Sequence, residues 1–355
     1  MNGRRSAMGL ALAAFAVAIL TSSLASAACE TPLSTQNASA AANVMIILDN
    51  SGSMNSPIWH DAYDQTIAYS GNFTRTTDYN VSSSANYTPR SFNSGWPASP
   101  TAFLVKSDGG RAGTYDGNYL NWVYFHADTT QRAAIPRVTR IQVAKQVVNG
   151  VIGAGGTNRY GIMTYNGDAG GTLTSPMGTA VSTMQSQVNA VVATSWTPLA
   201  ETMVTTLDYF KLTTSSAPIQ ASCQKSFLVI VTDGHPTQDL NVPSYLQDYD
   251  GDGMDPGNCA SIGAPVPNSY NCSGYMDDVA MYMFRNDLRP DMTGMQNVTT
   301  YCIGFNIYAP LLESAATEGG GVFFSANNSA QLAFAMNGAL ALIASKVAAM
   351  PGVKK

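Results

Sequence analysis

Residues 44–54, VMIILDNSGSM, place one carboxylate and two hydroxyls, Asp49, Ser51 and Ser53, on the turn that leaves a short apolar strand. Hard oxygens that converge at the carboxyl end of a strand suit a divalent cation such as Mg²⁺. Taken alone, the turn is also readable as a capped βα connection, because Asp and Ser side chains accept backbone N–H groups there. Two distant residues extend the set. Thr197 precedes Pro198 in SWTPLAET, and Asp233 ends a second apolar run within FLVIVTDG, 227–234. Three loops, each at a strand end or a helix start, thus offer oxygens in the order DxSxS, T, D.

A second oxygen-rich stretch is QDYDGDGMDPGNC, 247–259. Asp248, Asp250 and Asp252 fall at positions 1, 3 and 5 of a Ca²⁺-loop pattern, Gly253 takes the tight-turn position 6, and Asp255 is a further candidate ligand. Cys259 stands where the bidentate Glu of position 12 belongs, so the stretch resembles the calcium-loop motif over its first half, with an acidic Gly-rich turn as the alternative. His235 lies close to Asp233, but no GxSxG elbow is present and a metal-bound serine is otherwise engaged, so a hydrolase pairing is not expected. His60 and His126 read as surface or packing residues. The expectation is a binding protein, not an enzyme.

Strands and helices alternate around these loops. After the strand at 43–49, residues 55–137 are long, irregular and rich in Asn, Ser, Tyr and Gly, which marks a functional or partly ordered insertion. Ile141, Ala144, Val147, Val148 and Val151 predict a helix over 139–152. A strand at 159–165 with an antiparallel neighbour at 171–175 follows, then a helix through Met184, Val188 and Val191. Pro198 opens the next helix, with Leu199, Met203 and Leu207 on one face. The strand 227–232 precedes a second irregular insertion, 237–273. Helices at 276–287, 309–318 and 329–346 alternate with strands at 299–304 and 321–325; the last helix is expected to face the core. The pattern predicts an α/β fold: a doubly wound, mostly parallel sheet with helices on both faces and two long irregular insertions. Ligands in such sheets bind beyond the carboxyl ends of the strands, where Asp49 and Asp233 both fall.

Arg4 and Arg5, the apolar run Leu10–Leu20 and Ala25-Ser26-Ala27 form an export signal over 1–27, followed by a short leader, 28–42. The apolar run is short for a span of about 20 residues. No later segment is expected to cross a bilayer, since Asn337, Ser345 and Lys346 interrupt the last helix. Cleavage removes Arg4 and Arg5 and no acid, taking the formal charge from −5 to −7, which argues against a nucleic-acid partner. Five cysteines in an exported chain suggest disulfides. Cys259 and Cys272 share one loop and are the favoured pair. Cys29, Cys223 and Cys302 leave the rest open, Cys29–Cys223 with a free, buried Cys302 being one arrangement. No CxxC spacing or His cluster supports zinc.

In their order and contexts, Asp49, Ser51, Ser53, Thr197 and Asp233 resemble the metal-ion-dependent adhesion site (MIDAS) of the von Willebrand factor A family. The resemblance implies a domain over 43–350. It implies Ser51, Ser53 and, in one state, Thr197 as direct ligands of Mg²⁺ (or Mn²⁺ or Ca²⁺), with Asp49 and Asp233 acting largely through water. Neutral ligands leave the ion able to attract a carboxylate from a partner.

GNYLNW (117–122), CQKSFLVIVTDGHPT (223–237), MDDVAMYMFRNDLRPDM (276–292), NVTTYCIGF (297–305) and GGGVFFSANNSAQL (319–332) are similar to the N-terminal A domain of PilY/PilC-type proteins, bacterial type IV pilus-associated adhesins. That similarity implies export to the periplasm, cell surface or pilus tip. It implies minor pilins or a host-surface protein with an acidic group as partners. A soluble periplasmic protein that assists envelope or pilus assembly is the alternative. The relatives continue into a C-terminal β-propeller and this chain ends at Lys355, so a stand-alone, truncated or split member is expected.

Overall fold

The computed structural model describes residues 40–80, 114–253, 258–264 and 266–348. The signal segment, most of the leader, Cys29 and Asp255 lie outside the described residues. Six strands form one sheet: β1 (Asn43–Leu48), β4 (Arg159–Tyr165), β5 (Gly171–Ser175), β6 (Ser226–Thr232), β7 (Val298–Phe305) and β8 (Phe323–Ala326), in the spatial order β5-β4-β1-β6-β7-β8. All pairings are parallel except β4 with β5. This is the expected doubly wound sheet. The chain winds outward from β1 through β4 to one edge, then returns to β6 and winds outward to the other. The order therefore reverses at β1 and β6, the crevice where doubly wound sheets bind ligands.

Alternation along β1 sorts its side chains between two cores. Val44, Ile46 and Leu48 pack with residues of α3 (Arg140–Gly153), α4 (Val181–Ala190) and α8 (Ser329–Ala348). Met45 and Ile47 face α5 (Leu199–Phe210), α6 (Met276–Arg285) and α7 (Pro310–Glu318). All six residues of β1 are buried, as a central parallel strand covered on both faces requires. Burying each such aliphatic side chain contributes roughly 1.5–3 kcal/mol, so the two cores hold the site loops on a stiff frame.

The segment expected to be irregular, 55–137, is instead a folded module over its described residues. β2 (Asp78–Asn80) pairs antiparallel with β3 (Thr114–Asp116), and α1 (Gly117–Asn121), a π-helical turn at Trp122–His126 and α2 (Thr129–Ala133) follow. Phe73, Tyr115, Tyr119, Trp122 and Tyr124 give it a core separate from the other two. Its loops close through side chains: Asn121 accepts from Phe73 N at 2.9 Å and donates to Phe73 O at 2.9 Å. A Cβ at Gly117 would lie 2.1 Å from Thr74 O, so this close approach requires glycine. The second insertion, 237–273, is irregular apart from single 3-10 turns at Ser244–Leu246 and Asn268–Tyr270, among the described residues.

The reading of the last helix needs one correction. By length and composition, α8 is apolar enough to cross a membrane, because Lys346 is its only charge. In the fold, Leu332, Ala335, Met336, Ala339 and Ile343 form a buried stripe against the sheet.

Candidate metal centre

Asp49 is the residue that directly follows β1 and is fully buried. Its carboxylate is locked by three donors: Ser51 N to Oδ1 at 2.6 Å, Thr232 Oγ1 to Oδ2 at 2.6 Å and Asp233 N to Oδ2 at 3.2 Å. It thereby ties the end of β1 to the end of β6. The Ser51 and Ser53 hydroxyls lie 2.9 Å apart, and Ser53 Oγ donates to Asp233 Oδ1 at 2.7 Å.

Thr197 reaches the same place from another loop. Gly52 N donates to Ser195 O and Ser195 N donates to Asn50 O, each at 3.0 Å, so the two loops are laced like parallel strands. A Cβ at Gly234 would sit 3.6 Å from Thr197 Oγ1 and 3.7 Å from Ser53 Oγ, which puts these hydroxyls around one glycine. The structure thus brings Asp49, Ser51, Ser53, Thr197 and Asp233 together at the reversal of strand order.

The chemistry of this set fits a hard divalent cation: five oxygen-bearing side chains, three of them neutral, with no sulfur or ring nitrogen among them. Burial, and then the charge of Asp233, push Asp49 up to about 7, against the pull of its donors Ser51 and Thr232. Two crowded acids in a dry site are a charge arrangement that a cation relieves. Burial pushes His235 down from the ordinary imidazole range, and its buried Nδ1 has no hydrogen-bond partner.

Four positioning residues were not singled out from the sequence. Asn50 pairs with β4 as a backbone would, accepting from Tyr165 N at 2.8 Å and donating to Tyr165 O at 3.2 Å. Asp239, in the second insertion, accepts from Ala200 N at 3.0 Å, Glu201 N at 2.9 Å and Ser273 Oγ at 3.0 Å. It caps α5, whose own preceding residue, Pro198, makes no side-chain cap. Burial pushes Asp239 up to about 8. Thr237 Oγ1 accepts from Thr197 N at 3.1 Å, so the second insertion sets the position of Thr197.

The fourth is Arg140, the first residue of α3. Its Nη1 donates to Asp233 Oδ2 at 2.7 Å, with side-chain exposures of 12% for the arginine and 0% for the acid. The guanidinium lies 5.7 Å from the ring centroid of Trp59, and its buried Nε has no partner. A cation at a helix N-terminus opposes the helix dipole. That conflict within Thr139-Arg140-Ile141 was the signal available in the sequence.

The acidic stretch of the second insertion lies apart from these contacts. Asp248, Asp250 and Asp252 place carboxylate oxygens within 4.8 Å of one another, the first and last exposed and Asp250 half-buried. Gly253 N donates to Asp248 Oδ1 at 2.7 Å, Asp252 N to Asp250 Oδ1 at 3.0 Å, and Asp250 N to Asp278 Oδ1 at 3.0 Å. Cys259 and Cys272 are bonded beside it. Cys223 is also in a disulfide, and Cys302 is free and buried on β7.

No protein-family model matches the chain, and no curated protein sequence matches it. Solved structures similar to it include the PilB minor pilin from Streptococcus sanguinis, at 11% identity over 90% of this chain and 65% of that one, TM-score 0.45. The vWF domain of the type V pili tip protein Mfa5 from Porphyromonas gingivalis aligns at 11% identity over 89% of this chain and 99% of that one, TM-score 0.42. A von Willebrand factor type A protein from Catenulispora acidiphila aligns at 11% over 84% and 42%, TM-score 0.41. The strand order and pairing place the fold in the doubly wound, Rossmann-like α/β class.

Proposed function

We propose that the chain is an exported von Willebrand factor A-type binding domain, holding Mg²⁺ or Mn²⁺ among Asp49, Ser51, Ser53, Thr197 and Asp233. The observation that carries this reading is the convergence of five oxygen side chains from three loops at the reversal of strand order. The three hydroxyls are the direct ligands, and the two carboxylates hold them and the ion's waters. Neutral direct ligands leave positive charge on the ion, so an acidic group of a partner completes its shell. Binding of this kind requires no bond-breaking chemistry; the Ser53 hydroxyl that donates to Asp233 is read here as an ion ligand that the carboxylate orients.

A second ion, Ca²⁺, belongs at Asp248, Asp250 and Asp252, where three acids crowd within 4.8 Å. The cystine Cys259–Cys272 supports work outside the cytosol. Similarity to PilY/PilC-type A domains, carried by segments on α1, β6, α6, β7 and β8, points to a pilus-associated adhesin. Mass spectrometry of sheared pili tests this: the chain is expected in the pilus fraction. Its absence there, with recovery in the periplasm, would favour the assembly-partner alternative. Calorimetric titration with Mg²⁺ and Mn²⁺ tests the metal: binding to the wild type and none to Asp233→Ala is expected.

A further inference from the structure

Asp233 has both carboxylate oxygens engaged, Oδ1 by the Ser53 hydroxyl and Oδ2 by the Arg140 guanidinium. Holding Arg140 there is unfavourable on local grounds. It opens α3, where the helix dipole repels a cation, and its Nε is buried without a partner. Two features offset this. Asp233 supplies a 2.7 Å ion pair, and Trp59 of the aromatic insertion lies under the guanidinium at 5.7 Å. Trp59 is itself fixed by Tyr63, edge-on at 5.2 Å, and by Tyr119 at 6.4 Å. A continuous set of contacts therefore runs from the insertion core through Trp59 and Arg140 to Asp233.

We propose that Arg140 is a built-in cation that competes with the divalent ion for Asp233 and sets the charge of the loaded site. The inference rests on the metal reading above. The five-residue set alone carries two carboxylates, so a dication would leave it neutral. With Arg140 counted, the loaded site keeps one net positive charge, which favours an acidic ligand and weakens the hold on the ion. The side chain thus trades ion affinity for attraction of a carboxylate. Trp59 gives the insertion a means to bias that trade by holding Arg140 against Asp233 or releasing it.

Mn²⁺ calorimetry on the folded chain, with thermal unfolding checked for every variant, tests this. Arg140→Gln is expected to bind Mn²⁺ about tenfold or more tightly, since a unit charge a few ångströms from the ion is removed. Arg140→Lys keeps the charge and is expected to stay near the wild type, which separates competition from lost packing. Trp59→Leu loosens the guanidinium without removing it and is expected to tighten Mn²⁺ by a smaller factor. Mg²⁺ is expected to change the tryptophan fluorescence of the wild type, and that change shrinks in Trp59→Leu. Unchanged or weaker Mn²⁺ binding in a folded Arg140→Gln overturns the proposal and leaves the metal reading intact. Absence of Mn²⁺ binding in both the wild type and Arg140→Gln overturns the metal reading and this one with it.

Discussion

The two oxygen clusters of this molecule are built on opposite plans. At the ends of β1 and β6, two buried carboxylates are spaced by three hydroxyls, laced to neighbouring strands and partly neutralised by Arg140. In the second insertion, three carboxylates crowd within 4.8 Å on a turn with left-handed backbone at Asp248, Gly251 and Gly253. Backbone amides, a carboxylate of α6 and one disulfide fasten it. The difference lies in how much of an ion's charge the protein itself satisfies. Three carboxylates can satisfy Ca²⁺ outright and leave it structural. Three hydroxyls leave a smaller ion in need of an outside anion.

The sharpest break of that contrast is Asp49→Ala, expected to abolish Mg²⁺ and Mn²⁺ binding at the first cluster while Ca²⁺ binding at the second persists. Titration calorimetry with each ion reads both. Next in size is joint replacement of Cys259 and Cys272 by serine. A cross-link 13 residues apart contributes about 3 kcal/mol by restricting the unfolded chain. Denaturant unfolding should register most of that loss, with Ca²⁺ affinity falling more than Mg²⁺ affinity. Asp239→Ala removes the acceptor for two amides at the start of α5 and is expected to cost about 1–2 kcal/mol in unfolding free energy. Mg²⁺ affinity should fall with it, because the start of α5, which lies just after Thr197, loses its anchor to the second insertion, while Ca²⁺ affinity at the acidic turn should hold.

The smallest effect is one of pH. Asp49 is raised to about 7 in the folded protein from an ordinary 3.8, so the folded form holds a proton that the unfolded chain has lost between those values. Its contribution to the stability of the metal-free domain is therefore largest at low pH, declines as pH rises toward 7 and is flat above it. Ion binding runs the other way, since it requires the carboxylate. Mg²⁺ affinity should hold above pH 7 and weaken by up to about tenfold for each unit below it, measured by titration between pH 5 and 8.

The sheet was legible because its strands are short aliphatic runs bounded by turns, and their helices show clear 3.6-residue periodicity. Asp49, Ser51 and Ser53 were legible because they share one turn. Thr197 and Asp233 required a resemblance to connect them, as nothing local links residues that far apart. The aromatic module was illegible because Phe73, Tyr115, Tyr119 and Trp122 cohere through tertiary packing and Asn121 hydrogen bonds, without a repeating period. Arg140 and Asp239 are illegible for a related reason: each acts on a residue about 40 or more positions away, Asp233 and Ala200 respectively. α8 is apolar enough to cross a membrane despite Asn337 and Ser345 because isolated polar residues lower the mean hydropathy of its 18-residue window little.

A hard divalent ion held on hydroxyl ligands at the first cluster would be directly visible. The most direct test is a crystal structure of the chain grown with Mn²⁺, read by anomalous scattering. The expected result is a peak among the hydroxyls of Ser51, Ser53 and Thr197, with Asp49 and Asp233 behind it and Arg140 displaced from, or sharing, Asp233. A well-ordered site with no peak there, or a peak confined to Asp248, Asp250 and Asp252, would contradict it.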